Sequence, residues 1–524
     1  MRVCPFPTLT LIVVAVASTG AAQSGSASLE GLQTRAERSS FTETSRYDDV
    51  QRFLAVADEA SDLVRVTSFG YSFEGRSLPL AVVGRVADAT PVAVKASGLL
   101  RVYIQANIHA GEVEGKEAAL ALVREIARGA HAGWLQSMVL LVNPIYNPDG
   151  NERVTLTSRG FQHGPVGGQG TRPNAQGLNI NRDNMKLETP EARSMVRLLN
   201  DYDPHVMIDL HTTNGSRHAY HLTYETPNNP IVDAAVAREA RTWLAEVTRP
   251  VKARDGWDIR SYGNVSGQAP DRAWTTVEDL PRYTHNYWGL RNRFGILSET
   301  YSYLPFADRV ATNQRFLEEV LGYAHANAAR LRQVAEAADG APLVGQRLSL
   351  RSKVARGGKI DILMGDVIED VNPYSGRIMH RRADVRKPEP MWDETTFTST
   401  DAERVPSAYI VPAAEKAVLE RLRAHGVRVE PMPASGPQAV EEFRIAGTTV
   451  TERAFENHQE RTVTGEWAPA THDLAGAFRV PMTQPLARLA FYLLEPRSND
   501  GLATWNVVDE AIKASRYPVL RTRD

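Results

Sequence analysis

Three residues of this sequence, two histidines and a glutamate, lie directly after predicted strands and carry side chains that bind divalent metals. His109 and Glu112 follow the apolar run at 102–108, and His211 follows the apolar run at 206–210. Sites in α/β proteins form at the carboxyl ends of strands, and a His and a Glu three residues apart can turn onto one ion. Two histidines and a glutamate that leave one position open are a ligand set of catalytic zinc. The sequence therefore predicts a site for one zinc ion per chain.

The choice of His211 as the second histidine depends on its place in the predicted strand. His205 lies at the opposite end of the same run, so geometry disfavours it. His218 and His221 follow in the next segment. They remain alternatives, either as ligands or as groups around the metal and the substrate.

These residues must be positioned by a sheet, because apolar runs typical of buried strands alternate with helical patterns along the chain. A hairpin is predicted at 64–83, and Thr189-Pro190-Glu191 has the residue types that begin a helix. The alternation predicts an α/β fold, a sheet with helices on both faces. Strands are predicted at 101–108, 138–142, 206–210 and 294–298, and helices at 114–128, 190–202, 231–247 and 307–337, the last as one long helix or a broken pair.

The N-terminus has the pattern of a secretory signal peptide. Arg2 precedes an apolar run at 9–17, which is too short to cross a bilayer, and small residues follow up to Ala22. We expect residues 1–22 to be removed, with cleavage after Ala22. The single cysteine, Cys4, would leave with them, so no disulfide or thiol chemistry is expected. This pattern predicts a periplasmic or secreted protein.

The composition changes near residue 340, where Asp339-Gly-Ala-Pro342 has linker character. Short β runs and many turns follow, with one clear helix at 413–425. We therefore predict a catalytic domain at 45–340 and a smaller α+β accessory domain at 346–524, whose role the sequence does not indicate.

Charge argues against a nucleic-acid partner. The chain contains 60 Lys and Arg against 62 Asp and Glu, a formal net charge of −2. No net positive field is available to hold phosphates. After the signal, no stretch is long and apolar enough to predict stable membrane insertion. The oligomeric state cannot be read from the sequence.

Over residues 45–335 the sequence resembles the zinc metallocarboxypeptidases, the carboxypeptidase A-like peptidases. The resemblance implies a mixed sheet, a zinc ion, and a peptide substrate with a free C-terminus. Six motifs occur in family order: Gly70-x-Ser72-x-Glu74-Gly-Arg76, His109-x-x-Glu112, Asn147-Pro-Asp-Gly150, Asn181-Arg182, His211, and Glu299 after 294–298.

The resemblance also implies a role for each matching residue. His109, Glu112 and His211 would bind zinc, and Glu299 would be the general base on the zinc-bound water. Asn181 and Arg182 would hold the terminal carboxylate of the substrate.

Two further roles are assigned with alternatives. Arg172 matches the arginine that polarises the scissile carbonyl, with Arg159 as the alternative. Tyr287 is the preferred match for the tyrosine that caps the substrate, with Tyr283 as the alternative. Three arginines near the segment that lines the specificity pocket, Arg282, Arg291 and Arg293, are a weak indication of an acidic side chain in the substrate.

The sequence thus predicts an exported zinc carboxypeptidase. Two alternative functions remain open from the sequence. One is a zinc amidohydrolase of N-acyl amino acids, similar to desuccinylases and aspartoacylases. The other is a peptide-binding relative without catalysis, which the presence of Glu299, Arg172 and all three ligands disfavours.

Overall fold

A computed structural model describes residues 28–433 and 436–523. The predicted signal peptide at 1–22 and Cys4 lie outside these residues. In the described part of the chain, the helices lack the combination of length and apolar character that a membrane crossing requires.

The predicted α/β sheet is present as an eight-stranded mixed sheet. Its strand order is β1-β2-β4-β3-β5-β10-β6-β7. The central strands β4, β3, β5 and β10 are parallel, and antiparallel strands flank them. The strands of the first 345 residues are β1 (Val64–Tyr71), β2 (Ser77–Val83), β3 (Leu100–Ala106), β4 (Met138–Asn143), β5 (Val206–Thr212), β6 (Leu222–Glu225), β7 (Ile259–Ser261), β8 (Asn264–Ser266), β9 (Ala273–Thr275) and β10 (Phe294–Thr300).

Helices cover both faces of this sheet, as the sequence predicts. Alternate residues of β3 enter two separate cores, Tyr103 in one and Val102 and Ile104 in the other. The predicted long helix at 307–337 is a broken pair. The helices are α1 (Arg35–Arg38), α2 (Tyr47–Ala60), α3 (Pro91–Ala96), α4 (Glu114–Ala127), α5 (Pro148–Glu152), α6 (Pro190–Tyr202), α7 (Ala234–Asp255), α8 (Thr284–Leu290), α9 (Phe306–Ala326) and α10 (Ala328–Asp339), with 3-10 helices at Trp134–Gln136 and Ile180–Arg182.

The C-terminal region, residues 346–523, contains the additional sheets. β17, β18, β19, β20, β21 and β22 form a six-stranded sheet, β11 pairs with β16, and β13 and β14 form a hairpin. The elements are β11 (Arg347–Ala355), β12 (Lys359–Met364), β13 (Val367–Val371), β14 (Ile378–Arg382), β15 (Lys387–Glu394), β16 (Thr396–Arg404), β17 (Ala408–Val411), α11 (Lys416–Ala424), β18 (Glu430–Pro431), β19 (Pro437–Val450), β20 (Arg461–Asp473), β21 (Phe478–Pro481), α12 (Ala487–Leu494), α13 (Asp509–Lys513) and β22 (Leu520–Thr522).

The C-terminal region packs closely on the first part of the chain. β15 pairs in parallel with β9, so one four-stranded sheet contains strands from both. Leu422 of α11 and Phe491 of α12 belong to the same core as Tyr103 of β3. The division into domains at 45–340 and 346–524 stays a prediction, and the contacts across it bear directly on the site.

Candidate active site

The two parallel strands β3 and β5 bring the predicted metal ligands together. His109 follows β3, Glu112 precedes α4, and His211 lies in β5. One ligand atom from each residue lies within 4.8 Å of the others, and all three side chains are buried. The Glu112 carboxylate is 3.0 Å from Nδ1 of His109 and 2.9 Å from Nδ1 of His211. We call these three residues the metal cluster.

The turn from His109 to Glu112 is fixed by the residues around it. Asn107 has a left-handed backbone conformation, and its side-chain amide donates to the Ala110 and Glu112 carbonyls. The Glu112 amide closes the turn by donating to the His109 carbonyl at 2.8 Å. Gly111 is required here, because a Cβ would lie 2.9 Å from the Gly170 carbonyl oxygen.

The outward nitrogens of both histidines have acceptors. Nε2 of His211 is 2.9 Å from Oδ2 of Asp209, and Nε2 of His109 is 3.1 Å from Oδ1 of Asn179. A metal-binding histidine usually donates its other N–H to a carboxylate or carbonyl oxygen, which fixes the tautomer. Both Nδ1 atoms are therefore directed to the cluster centre. This donor set fits a zinc ion with its fourth position open.

Burial and the neighbouring charges shift the pKa values of the two histidines in opposite directions. Burial lowers the pKa of His109 to about 3. Burial also opposes protonation of His211, but the Asp209 and Glu112 carboxylates outweigh it and raise its pKa well above the ordinary value. An Asp–His pair of this kind strengthens the histidine as a ligand.

Glu299 lies beside the metal cluster in β10. Its Cα pairs with that of His211 in the parallel ladder, and its side chain lines the same pocket as the three ligands. Burial raises the pKa of Glu299 to about 8, helped by the neighbouring Glu112 carboxylate and opposed by His211. The Glu299 carboxyl group therefore lies next to the metal cluster without being one of its three members.

Both candidate arginines contact the metal cluster, at the same carboxylate oxygen of Glu112. Arg159 Nη1 is 3.0 Å from Oε1 of Glu112, and Arg159 also donates to the carbonyls of Thr212 and Thr213. Arg172 Nη1 is 3.7 Å from the same oxygen and 3.2 Å from Nδ1 of His109. Of the two, Arg172 lines the pocket. Arg172, and not Arg159, therefore shares the pocket with the metal cluster.

Asn181 and Arg182 line the pocket from the 3-10 helix Ile180–Arg182. The Asn181 side chain accepts from the amide and hydroxyl of Thr284 at 3.3 and 3.0 Å. Arg182 donates to the Asn181 carbonyl at 2.6 Å, and its guanidinium lies 4.0 Å from the centre of the Tyr283 ring. Burial lowers the pKa of Arg182, and the group stays cationic because an arginine is always charged in proteins.

Tyr287 is not brought to this pocket, contrary to the sequence-based expectation. It is fully buried in α8, where its hydroxyl is 2.8 Å from Nδ1 of His425 in the C-terminal region. Tyr283, the alternative, lines the pocket together with Tyr262. The reason is local: Tyr283 precedes α8, whereas Tyr287 lies one turn into it, on the face that packs against the C-terminal region.

The other candidate histidines, His205, His218 and His221, do not line the pocket. Nδ1 of His205 accepts from the Arg101 amide, His218 packs among Tyr220, Trp274 and Tyr301, and His221 stacks on Trp257. In residues 28–433 and 436–523, the group with metal-binding geometry is the metal cluster. The three arginines expected near the specificity pocket are engaged with other groups, Arg282 with Asp500 and Glu460, Arg291 with Asn200, and Arg293 with Asp203 and Asp339.

Two motifs that the sequence singles out have a structural role. The Asp149 carboxylate accepts from the Ser72 hydroxyl and the Glu74 amide at 2.7 and 2.9 Å, and pairs with Arg76 at 2.6 Å. Asn147 donates to the carbonyls of Ile108 and Arg172. These bonds tie the β1–β2 turn and the Arg172 segment to the end of β3.

Sequence reasoning missed three residues that support the site: Asp209, Asn179 and Glu456. Asp209 precedes His211 by two residues, and side chains at that spacing share one face of a strand, so this one could have been found. Glu456 lies at the tip of the β19–β20 hairpin, and its Oε2 accepts from the Asn179 amide at 2.9 Å. The two are 277 residues apart, and no signal in the sequence connects them.

Residues 50–287 match the sequence model of the Peptidase_M14 family, described as zinc carboxypeptidase. Carboxypeptidase 2 of Trichophyton tonsurans is 25% identical over 485 residues, covering 86% of this chain and 81% of its own. Carboxypeptidase D of Mus musculus is 30% identical over 169 residues, covering 27% of this chain and 12% of its own length. A solved metallo-carboxypeptidase from Burkholderia cenocepacia superposes with a TM-score of 0.41 and 16% identity, over 54% of this chain and 69% of its own. The match to the fungal protein is long enough to include part of the C-terminal region.

Proposed function

We propose that this chain, whose residues 50–287 match the zinc carboxypeptidase family model, is an exported enzyme that removes the C-terminal residue of peptides. One zinc ion would be held by His109, Glu112 and His211. The observation that carries the proposal is that one pocket contains the metal cluster, the base Glu299, and the cationic Arg182 beside Asn181. A peptide end with a negative charge and a scissile amide bond would engage all of them at once.

Zinc, when bound, would polarise the scissile carbonyl and the attacking water. Glu299 accepts a proton from that water as its oxygen bonds to the carbonyl carbon, and passes the proton to the leaving amine as the C–N bond breaks. Arg172 stabilises the negative charge that develops on the carbonyl oxygen. The products are the shortened peptide and a free amino acid.

The terminal carboxylate is the substrate feature that Asn181 and Arg182 recognise. A planar guanidinium can donate two parallel hydrogen bonds to a carboxylate. Arg182 is held for this by its bond to the Asn181 carbonyl and by the Tyr283 ring beneath it. Tyr283, rather than Tyr287, would cover the bound end of the peptide.

Export is the second part of the proposal. It is supported by the basic start, short apolar run and small residues that end at Ala22. The exported chain would begin at Gln23 and act in the periplasm or outside the cell.

Asn181 and Arg182, which we call the carboxylate clamp, give the decisive test. Amidating the C-terminus of a peptide removes the charged acceptor that faces Arg182, a loss of about 2–5 kcal/mol of transition-state binding. We expect kcat/KM to fall more than tenfold on amidation. The Arg182→Gln variant should cleave the free acid as poorly as the amide, whereas Arg52→Gln, an exposed control, should discriminate normally.

Equal cleavage of the free acid and the amide by the zinc-loaded protein would contradict the proposal and indicate an endopeptidase. Hydrolysis confined to N-acyl amino acids would indicate an amidohydrolase. Binding of peptides without any cleavage would indicate a relative that has lost catalysis.

A further inference from the structure

A second cavity, of about 270 Å³, opens beside the active-site pocket. We call it the Phe161 cleft. It adjoins the pocket, because Asn214 lines both, and Arg159, which lines the cleft, contacts Glu112 at 3.0 Å. The cleft is lined by residues 158–162, Thr213, Asn214, Ser302 and Tyr303.

Phe161 is an exposed aromatic side chain that the protein holds in place. It is 52% exposed, yet its ring stacks on His380 of β14 with centroids 4.4 Å apart and planes 5° apart. The His380 amide donates to the Phe161 carbonyl at 2.8 Å, and Tyr303 packs edge-on against His380. The C-terminal region therefore fixes the orientation of this ring while leaving much of it accessible.

An exposed aromatic ring fixed in this way is suited to binding. Exposed apolar surface is unfavourable in water, and a group that is already ordered loses little freedom when a ligand packs on it. The cleft also offers polar groups for a peptide backbone, since Asn214 is exposed and lines it. Its chemistry is that of an apolar subsite with a polar edge.

The position of the cleft determines which part of a peptide reaches it. If the terminal carboxylate lies at Arg182 and the scissile bond at the metal cluster, the chain must continue away from Arg182. Arg182 lines the pocket and not the cleft, whereas Arg159, which contacts the Glu112 carboxylate at 3.0 Å, lines the cleft and not the pocket. An extended peptide advances about 3.3 Å per residue, so the second or third residue before the cleaved bond would arrive at Phe161.

We propose that the Phe161 cleft binds the residues that precede the cleaved bond, and that Phe161, supported by His380, selects an aromatic or large apolar side chain there. This inference rests on the proposed function. It gives the β13–β14 hairpin of the C-terminal region a role in substrate selection, because His380 belongs to it.

The experiment compares free-acid pentapeptides that carry Phe or Gly at the second or third residue before the cleaved bond. Aromatic contacts contribute about 0.5–1.5 kcal/mol beyond buried area, so we expect kcat/KM for the best Phe peptide to exceed that for the Gly peptide about fivefold or more. Phe161→Ala should bring this ratio close to one, and Phe161→Tyr should restore it. Tyr374→Ala is the control, an exposed aromatic on the same hairpin connection that does not line the cleft.

A short acyl-dipeptide, which cannot reach the cleft, is measured with the wild-type protein in parallel. If neither the dipeptide nor the pentapeptides are cleaved, the proposed function fails. If they are cleaved but Phe and Gly peptides have equal kcat/KM, or the preference survives in Phe161→Ala, the cleft proposal is overturned and the function stands.

Discussion

The metal cluster is held by the ends of two neighbouring parallel strands, whereas the proposed substrate-binding surfaces are held by loops that the C-terminal region contacts. His109, Glu112 and His211 are buried at the ends of β3 and β5. The backbone amide of Asn179, which precedes Asn181 and Arg182, donates a hydrogen bond to Glu456, and Phe161 stacks on His380. In the proposed function, most of the chemistry and most of the recognition thus depend on different parts of the chain, although Asn179 also contacts His109.

This difference has a physical reason. Strand ends in a packed sheet can hold side chains with little freedom, and metal ligation and proton transfer require that precision. Substrate recognition tolerates small displacements and can be built on loops. The loops here gain order from contacts with a second region, so changes in that region are expected to alter recognition more than chemistry.

The largest effect is expected at Glu299, on the chemistry side of this comparison. Glu299→Gln keeps the shape of the side chain but cannot accept the proton, and general acid–base catalysis contributes about 10²- to 10⁴-fold. We expect kcat to fall by that factor while zinc content and melting temperature stay normal, all measured on one preparation.

Glu59→Gln, an exposed change in α2, serves as the control. A folded, zinc-loaded Glu299→Gln protein with near-normal kcat would remove Glu299 from the mechanism. A fall in kcat that merely follows loss of folded protein would instead make Glu299 a stabilising buried carboxylate.

An intermediate effect is expected at Asp209, which orients His211 through a 2.9 Å contact. Loss of such a partner typically costs 10- to 100-fold in metal affinity or activity. Asp209→Asn removes the charge and keeps the shape, so the zinc dissociation constant should rise by a factor in that range. Competition with a chromogenic chelator measures it, with the exposed Asp201→Asn as the matched control. Unchanged zinc affinity would show that the sheet alone positions His211.

The smallest effect is expected at Glu456, on the recognition side. Glu456→Ala removes the acceptor for the Asn179 amide, and one hydrogen bond is worth about 0.5–1.5 kcal/mol, or more when one partner is charged. We expect kcat/KM for free-acid peptides to fall about two- to tenfold, with Glu452→Ala, exposed on the same hairpin, unaffected.

Zinc affinity distinguishes two explanations of a Glu456 effect. Asn179 also contacts His109, so a loss of zinc affinity as large as that of Asp209→Asn would mean that the C-terminal region supports the metal cluster too. That result would break the separation between chemistry and recognition.

The sequence alone determined the metal cluster, Glu299 and the sheet that carries them. Each lies at the carboxyl end of an apolar run that is visible locally, and strand ends meet at one edge of a parallel sheet. The helix start at Thr189-Pro190 was equally local, since its cap and first-turn proline are adjacent residues, and α6 begins at Pro190.

Only the tertiary structure decided which tyrosine reaches the pocket and what supports its walls. Tyr283 and Tyr287 are four residues apart in one segment, in which the sequence favoured Tyr287, and the packing of α8 against His425 determined that Tyr287 is buried. Tertiary packing likewise brought Asn179 to Glu456 and Phe161 to His380. These contacts join residues far apart in the chain through folding of the C-terminal region onto the sheet, and no local pattern encodes such a meeting.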